Sequence, residues 1–215
     1  MKRIAYYGGT FDPVHVGHLT VAKTLRVLFE LDDFVFLPAF HAPHKPDSKP
    51  TGSHHRYAML CLATRDEPNI SVSLMEIETG EKRYTIDTLA ELTVRHKGDR
   101  LFFVMGADSW TDIRTWKRWE EVLLATNHIV VTRPGYEIAA DHVSDAVRER
   151  IVDLRGRNEM PPLANGHRIY ITDAVQFDVS ATEIRDDVRT DEVLDRIDDV
   201  PEEVAKYIEK YELYR

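Results

Sequence analysis

Residues 4–18 read Ile4-Ala5-Tyr6-Tyr7-Gly8-Gly9-Thr10-Phe11-Asp12-Pro13-Val14-His15-Val16-Gly17-His18. A short apolar run, a glycine pair and then an amphipathic stretch is the pattern of a buried strand turning into a helix. The helix is expected from about Val14 to Leu31, with Val21, Leu25 and Leu28 on one face. Two glycines let a backbone turn tightly and approach a ligand closely. The helix that follows aims its free amides, and the positive end of its dipole, at whatever occupies the turn. His15 and His18 are three apart and share one face of the first helical turn, and Gly17 between them leaves the approach open. Amides, dipole and two imidazoles at one spot suit a polyphosphate. A glycine turn with surface or capping histidines is the plainer alternative. A histidine pair on a metal is another, although no third ligand beyond Asp12 is visible. The G-x-G-x-x-G fingerprint is absent, which weakens a dehydrogenase reading.

Outward from this stretch, apolar runs keep alternating with amphipathic ones. Strands are expected at Phe34–Leu37, Ile70–Ile77, Leu101–Met105, His128–Thr132, Arg168–Thr172 and Val175–Val179. Helices are expected at Ser53–Asp66, Thr85–Lys97, Trp110–Ala125 and Glu137–Leu154, and again from Ser180 onward. Strands separated by helices imply parallel pairing through crossovers. The expected fold is therefore α/β: a doubly wound, Rossmann-like parallel sheet with helices on both faces. Residues 1–215 read as one domain with a small C-terminal helical segment over 180–215. Ligands of such sheets sit beyond the carboxyl ends of the strands, where strand order reverses.

A second signal, Ser180-Ala181-Thr182-Glu183-Ile184-Arg185, follows an expected strand. Ser180 and Glu183 have capping-box spacing, so a helix starts there, and Arg185 adds a planar cation to its first turn. Alone this is only a well-started helix. Beside the first motif it is a second device for holding an anion.

Lys plus Arg is 28 and Asp plus Glu is 37, a net charge of −9. That disfavours a general nucleic-acid or anionic-membrane binder but says nothing against a small anionic substrate in a local site. The acidity is uneven. Residues 186–203 hold nine acids against Arg189 and Arg196, whereas the loop 40–56 carries Lys45, Lys49, Arg56 and four histidines against Asp47. A lid over phosphates is one reading of that loop, and a solvated proline-rich loop the other. The single cysteine, Cys61, excludes an internal disulfide and reads as a small buried residue. The start of the chain reads as neither a signal peptide nor a membrane span, implying a cytoplasmic setting.

Taken in order, these residues resemble the bacterial nicotinate mononucleotide adenylyltransferases of the H-x-G-H nucleotidyltransferase superfamily. The resemblance covers essentially the whole chain. It rests on Gly8 to Leu19, Pro43-His44-Lys45, Arg56 with Met59-Leu60, Tyr84-Thr85 with Thr88-Leu89, and Gly106-Ala107-Asp108-Ser109. It continues through Thr115-Trp116, Arg133-Pro134-Gly135, Val179 to Arg185 and Leu213-Tyr214-Arg215. The stretch Phe40-His41-Ala42-Pro43 departs from the family, which usually has two adjacent prolines before the His-basic pair. The resemblance implies transfer of AMP from ATP to nicotinate mononucleotide in NAD synthesis, with Mg²⁺ arriving on the ATP phosphates. No resident metal site is implied.

By the same resemblance Gly8, Gly9, Thr10 and Phe11 would line the nucleotide through their backbone. His15 and His18 would bind its phosphates, with His18 facing the transition-state charge. Gly106 and Asp108 would hold the adenosine, although Asp108 also reads as a helix N-cap. Ser180, Thr182 and Arg185 would hold the triphosphate tail. Thr85 and Trp116 would form the nicotinate pocket, while Trp110 and Trp119 read as core. Lys45, with His44 beside it, is the first candidate for the acceptor phosphate and Arg133 the second. Alternatives are a nicotinamide mononucleotide or phosphopantetheine adenylyltransferase, or a non-catalytic nucleotide sensor. Oligomeric state stays open, a homo-oligomer included.

Overall fold

The computed structural model of the chain describes residues 1–41, 50–132, 138–157, 161–163, 165–175, 179–190 and 199–215. Its central strands divide their side chains between two apolar layers. In β1 (Arg3–Gly9) Ala5 faces one layer, and Ile4 and Tyr6 face the other. In β4 (Arg100–Gly106) Phe102 and Val104 join Ala5, while Leu101, Phe103 and Met105 join Ile4. In β5 (Asn127–Val131) Ile129 and Val131 oppose Val130 in the same way. Burial on both faces is why these strands read as continuous apolar runs.

The other strands are β2 (Asp33–Pro38), β3 (Ile70–Val72), β6 (Ile151–Asp153) and β7 (Ile169–Thr172). Among the described residues the seven form one sheet in the order β3-β2-β1-β4-β5-β7-β6, every pair parallel. The layer containing Ala5 is closed by α1 (Val16–Leu28), α2 (Ser53–Thr64), α7 (Ala181–Arg189) and α8 (Glu202–Lys210). The opposite layer is closed by α3 (Thr85–Arg95), α4 (Ala107–Thr111), α5 (Trp119–Ala125) and α6 (Asp145–Arg148). The sheet is thus doubly wound, as expected. Strand order reverses between β1 and β4, which places the ends Gly9 and Gly106 on either side of the switch point.

Several boundaries differ from the sequence reading. β3 stops at Val72, and Met75 and Ile77 are buried in a turn where Ile77 N–H donates to Leu74 O at 2.9 Å. The Trp-rich helix is broken into α4, a 3₁₀ turn at Ile113–Thr115, and α5, which starts after Arg118 in the left-handed region at φ 54°. In the stretch read as a helix to Leu154, α6 is only four residues long and Ile151–Asp153 is an edge strand. There Ile151 and Val152 pair with Ile169 and Tyr170, so strand pairing of β-branched residues overrides the helical pattern. Val175 and Val179 are buried but belong to no strand, and 176–178 lie outside the described residues. Cys61 is half-buried rather than buried. Among the described residues no helix is long and apolar enough to cross a membrane.

Candidate active site

Gly8 and Gly9 belong to β1 itself rather than to a turn. A Cβ on Gly8 would lie 2.7 Å from Cζ of Phe103, and one on Gly9 would lie 2.7 Å from Cζ of Phe11. The pair therefore makes room for two aromatic rings. The left-handed residue of the turn is Phe11, at φ 53°, a conformation that costs a non-glycine residue about 1–2 kcal/mol. Its buried ring offsets that cost, packing edge-on against Tyr7 and Phe36, each at 5.3 Å between centroids, and against His18 at 5.0 Å.

His15 is the N-cap of α1, and the His15 and His18 rings stack at 3.7 Å between centroids. The His15 backbone N–H donates to Nδ1 of His18 at 3.3 Å. With Nδ1 accepting, Nε2 carries the proton in the neutral ring and is the nitrogen suited to donate to a phosphate oxygen. His15 is buried and His18 half-buried.

Asp12, which the sequence left as at most a metal ligand, is the hub of the turn. Its Oδ1 accepts from the Tyr214 hydroxyl at 2.7 Å and its Oδ2 from Thr51 N–H at 3.0 Å. Its backbone oxygen accepts from Nη1 of Arg185 at 2.7 Å, while Nη2 of Arg185 donates to Thr182 Oγ1 at 3.1 Å. Arg56 is fully buried, not part of the loop's solvated basic patch. It donates to four carbonyl oxygens, those of Thr51, Thr10, Ala39 and Phe40, at 2.7–3.0 Å. Burial pulls its pKa down and the Asp12 carboxylate works against that pull. Its position on the apolar stripe with Met59 and Leu60 was the one signal in the sequence of this role.

Across the switch point, Gly106 caps α4, so Asp108 is not the N-cap but an exposed carboxylate in the first turn. A Cβ on Gly106 would meet nothing within 4 Å, which leaves space for a ligand to approach. Ser180 caps α7, its hydroxyl accepting from Thr182 N–H at 3.3 Å. A cleft of about 710 Å³ is lined by Thr10, Phe11, Asp12, His15, His18, Asp108, Ser180, Thr182 and Arg185. A smaller hollow of about 80 Å³, lined by Gly17, Gly106 and Val131, shares His15, His18 and Asp108 with it. The structure thus brings both sequence motifs and the β4 end to one opening. A separate hollow of about 320 Å³ at the opposite ends of β1 and β4, lined by Met1, His96 and Arg100, contains none of these residues.

Thr85 opens α3, and Trp116 is half-buried with its ring edge-on to Phe103 at 6.5 Å. Neither lines the two cavities; Phe103 connects Trp116 to the space above Gly8. Trp110 is buried in the core, its Nε1 donating to Ala139 O at 2.9 Å, while Trp119 is half-buried and packs against the core's edge. Lys45, His44 and Arg133 lie outside the described residues. Among the described residues no group of three or more His, Cys, Asp or Glu side chains is placed to hold a metal ion.

Comparison with known proteins bears on this geometry. Residues 6–187 match the family model described as cytidylyltransferase-like. A protein of Citrifermentans bemidjiense named "Probable nicotinate-nucleotide adenylyltransferase" is 38% identical, over 99% of this chain and 98% of its own. One of the same name from Thermoanaerobacter sp. is 36% identical, over 99% of this chain and 94% of its own. Among solved structures, the fold is shared with a Plasmodium falciparum nicotinic acid mononucleotide adenylyltransferase complexed with NaAD. That match has a TM-score of 0.73 and 19% identity, over 100% of this chain and 98% of the other.

Proposed function

Because the chain belongs to the cytidylyltransferase-like family, and within it to the nicotinate-nucleotide adenylyltransferases, we propose a reading of the cleft that follows the phosphates. The enzyme transfers AMP from ATP to nicotinate mononucleotide, giving nicotinate adenine dinucleotide and pyrophosphate in NAD biosynthesis. The observation that carries the site assignment is convergence. His15, His18, Ser180, Thr182 and Arg185 line one cleft at the switch point of the sheet.

The attacking group is a phosphate monoester, largely dianionic near neutral pH because its second pKa is about 6. It needs no general base. The reaction needs two mutually repelling anions held in line and charge absorbed on the α-phosphate and the departing pyrophosphate. In this reading His18 donates from Nε2 to the α-phosphate oxygen as charge builds there, and His15 supports it by stacking. Arg185, Thr182 and Ser180 hold the β- and γ-phosphates at the start of α7, where free amides and the dipole add positive potential. Thr10 and Phe11 offer backbone contact to the nucleotide, with Gly8 and Gly9 beneath. Gly106 and Asp108 take the adenosine, the carboxylate accepting from a ribose hydroxyl.

Thr85 and Trp116 receive the pyridine ring, and Lys45, His44 and Arg133 are the candidates for the acceptor phosphate. Mg²⁺ would enter with the ATP phosphates and supply further charge neutralisation there. Two carboxylates line the cleft, Asp12, committed to Tyr214 and Thr51, and the exposed Asp108, and among the described residues no group of three or more such side chains is placed to hold an ion. No step is assigned to the ion. We read residues 1–215 as one domain, with α8 packed on α2, working in the cytoplasm.

The test is pyrophosphate release from ATP with nicotinate mononucleotide, nicotinamide mononucleotide and phosphopantetheine compared. The reading expects the highest kcat/KM with the first. Turnover only with phosphopantetheine, or with none, would overturn it.

A further inference from the structure

The contact between Tyr214 and Asp12 joins residues 202 positions apart. Asp12 is buried in the middle of the phosphate-binding turn, between Phe11 and the start of α1. Three donors from three different parts of the chain fix it: Tyr214 and Thr51 on the carboxylate, Arg185 on the carbonyl. All three residues line the cleft, but in the reading above only Arg185 holds phosphate, and the Tyr214 hydroxyl is committed to Asp12.

The route by which Tyr214 reaches the turn is built independently of the cleft. Helix α8 docks on α2 through His55, whose Nδ1 lies 2.9 Å from the Tyr207 hydroxyl, and the Tyr207 and Tyr211 rings stack at 4.5 Å. Beyond the helix the chain folds back, Leu213 N–H donating to Ile208 O at 3.1 Å, and Tyr214 itself is left-handed at φ 71°. A tyrosine held in that costly conformation, with its hydroxyl on a buried carboxylate, is a specific placement rather than general packing. Burial and the adjacent Asp12 carboxylate push the Tyr214 phenol well above its ordinary range, so it remains a protonated donor throughout the working range of pH.

We infer that Tyr214 is a positioning residue for the nucleotide. Its hydroxyl holds the Asp12 side chain so that the Asp12 carbonyl stays on Arg185 and the His15–His18 pair keeps its orientation toward the triphosphate. Losing that donor leaves a buried carboxylate oxygen short of a partner, and the turn re-forms around whatever replaces it. The inference rests on the assignment of this cleft to ATP.

The experiment compares Tyr214→Phe with Tyr207→Phe, which perturbs α8 docking without touching Asp12. Binding of a non-hydrolysable ATP analogue is measured by calorimetry at a temperature where circular dichroism shows both variants folded. Y214F is expected to lose about tenfold in analogue affinity and in kcat/KM for ATP, with KM for nicotinate mononucleotide held within about twofold. Y207F is expected to stay within about twofold of the parent on every count. Parental analogue affinity in Y214F, or an equal loss in Y207F, would overturn the inference. In an Asp12→Ala background Y214F should cost nothing further, and a second tenfold loss there would equally refute it. Analogue binding is read without any acceptor. A failure of the parent enzyme to turn over nicotinate mononucleotide would therefore count against the functional reading and not against Tyr214.

Discussion

Arg185 donates from Nη1 to the carbonyl oxygen of Asp12 at 2.7 Å across 173 positions of sequence, tying the start of α7 to the turn after β1. The same guanidinium donates from Nη2 to Thr182 Oγ1. The Arg185 guanidinium is therefore held by the turn after β1, and the two motifs meet in one cleft.

A lysine cannot reproduce that fork. Arg185→Lys is expected to lower kcat/KM for ATP by about tenfold or more while KM for nicotinate mononucleotide changes little. Initial rates over an ATP titration check this, and a parental kcat/KM would remove Arg185 from the phosphate site.

In the proposed function His18 faces the charge that develops during transfer, so its loss should appear in kcat rather than in binding. His18→Ala is expected to reduce kcat by about 10²–10³-fold, the range for removal of one preorganised donor, with ATP affinity nearly retained. Single-turnover rates and equilibrium binding separate the two quantities.

The glycines of the site should separate stability from function. Gly9→Ala drives a methyl group into the Phe11 ring, which Tyr7, Phe36 and His18 hold in place, and is expected to cost about 1–3 kcal/mol in urea unfolding. Gly106→Ala meets no protein atom, so its stability should be close to parental while ATP binding weakens.

Glu76 gives the fold a pH dependence of definite sign. It is buried with its Oε1 accepting from Thr88 Oγ1 at 2.7 Å, and desolvation raises its pKa from 4.5 to about 7 against the pull of Thr88 and Arg83. Between those values the native state binds more protons than the unfolded chain, so this group removes stability as pH rises through the window. The ceiling is roughly 3 kcal/mol, at about 1.4 kcal/mol per pH unit. Glu76→Gln keeps an acceptor for Thr88 and removes the charge. Its unfolding free energy relative to the parent should be near zero at pH 5 and favourable at pH 8, by denaturant titration at both.

The strands of the sheet and both motifs that line the cleft were legible in sequence because each is a local pattern. Leu101–Met105 is apolar throughout since both faces are covered, and H-x-G-H opens the helix that follows the first strand. What stayed hidden depends on distant partners. Ile151–Asp153 is a strand only because β7 lies beside it, and the charged residues around it read as helix. Gly8 and Gly9 signalled a turn, whereas their need comes from Phe103, some ninety residues on, and from a left-handed Phe11. Tyr214 gave no local sign of reaching Asp12. Arg56 gave a weak one, a guanidinium on an apolar stripe.

In the proposed function AMP passes directly and in line between phosphates held in the cleft of His15, His18 and Arg185, with no adenylylated enzyme between. The configuration at phosphorus tests it, using ATP carrying a single sulfur of known configuration on the α-phosphate and nicotinate mononucleotide as acceptor. The expected product is nicotinate adenine dinucleotide with inverted configuration. Retention, which would require an intermediate adenylyl group on a side chain such as His15 or His18, would contradict it.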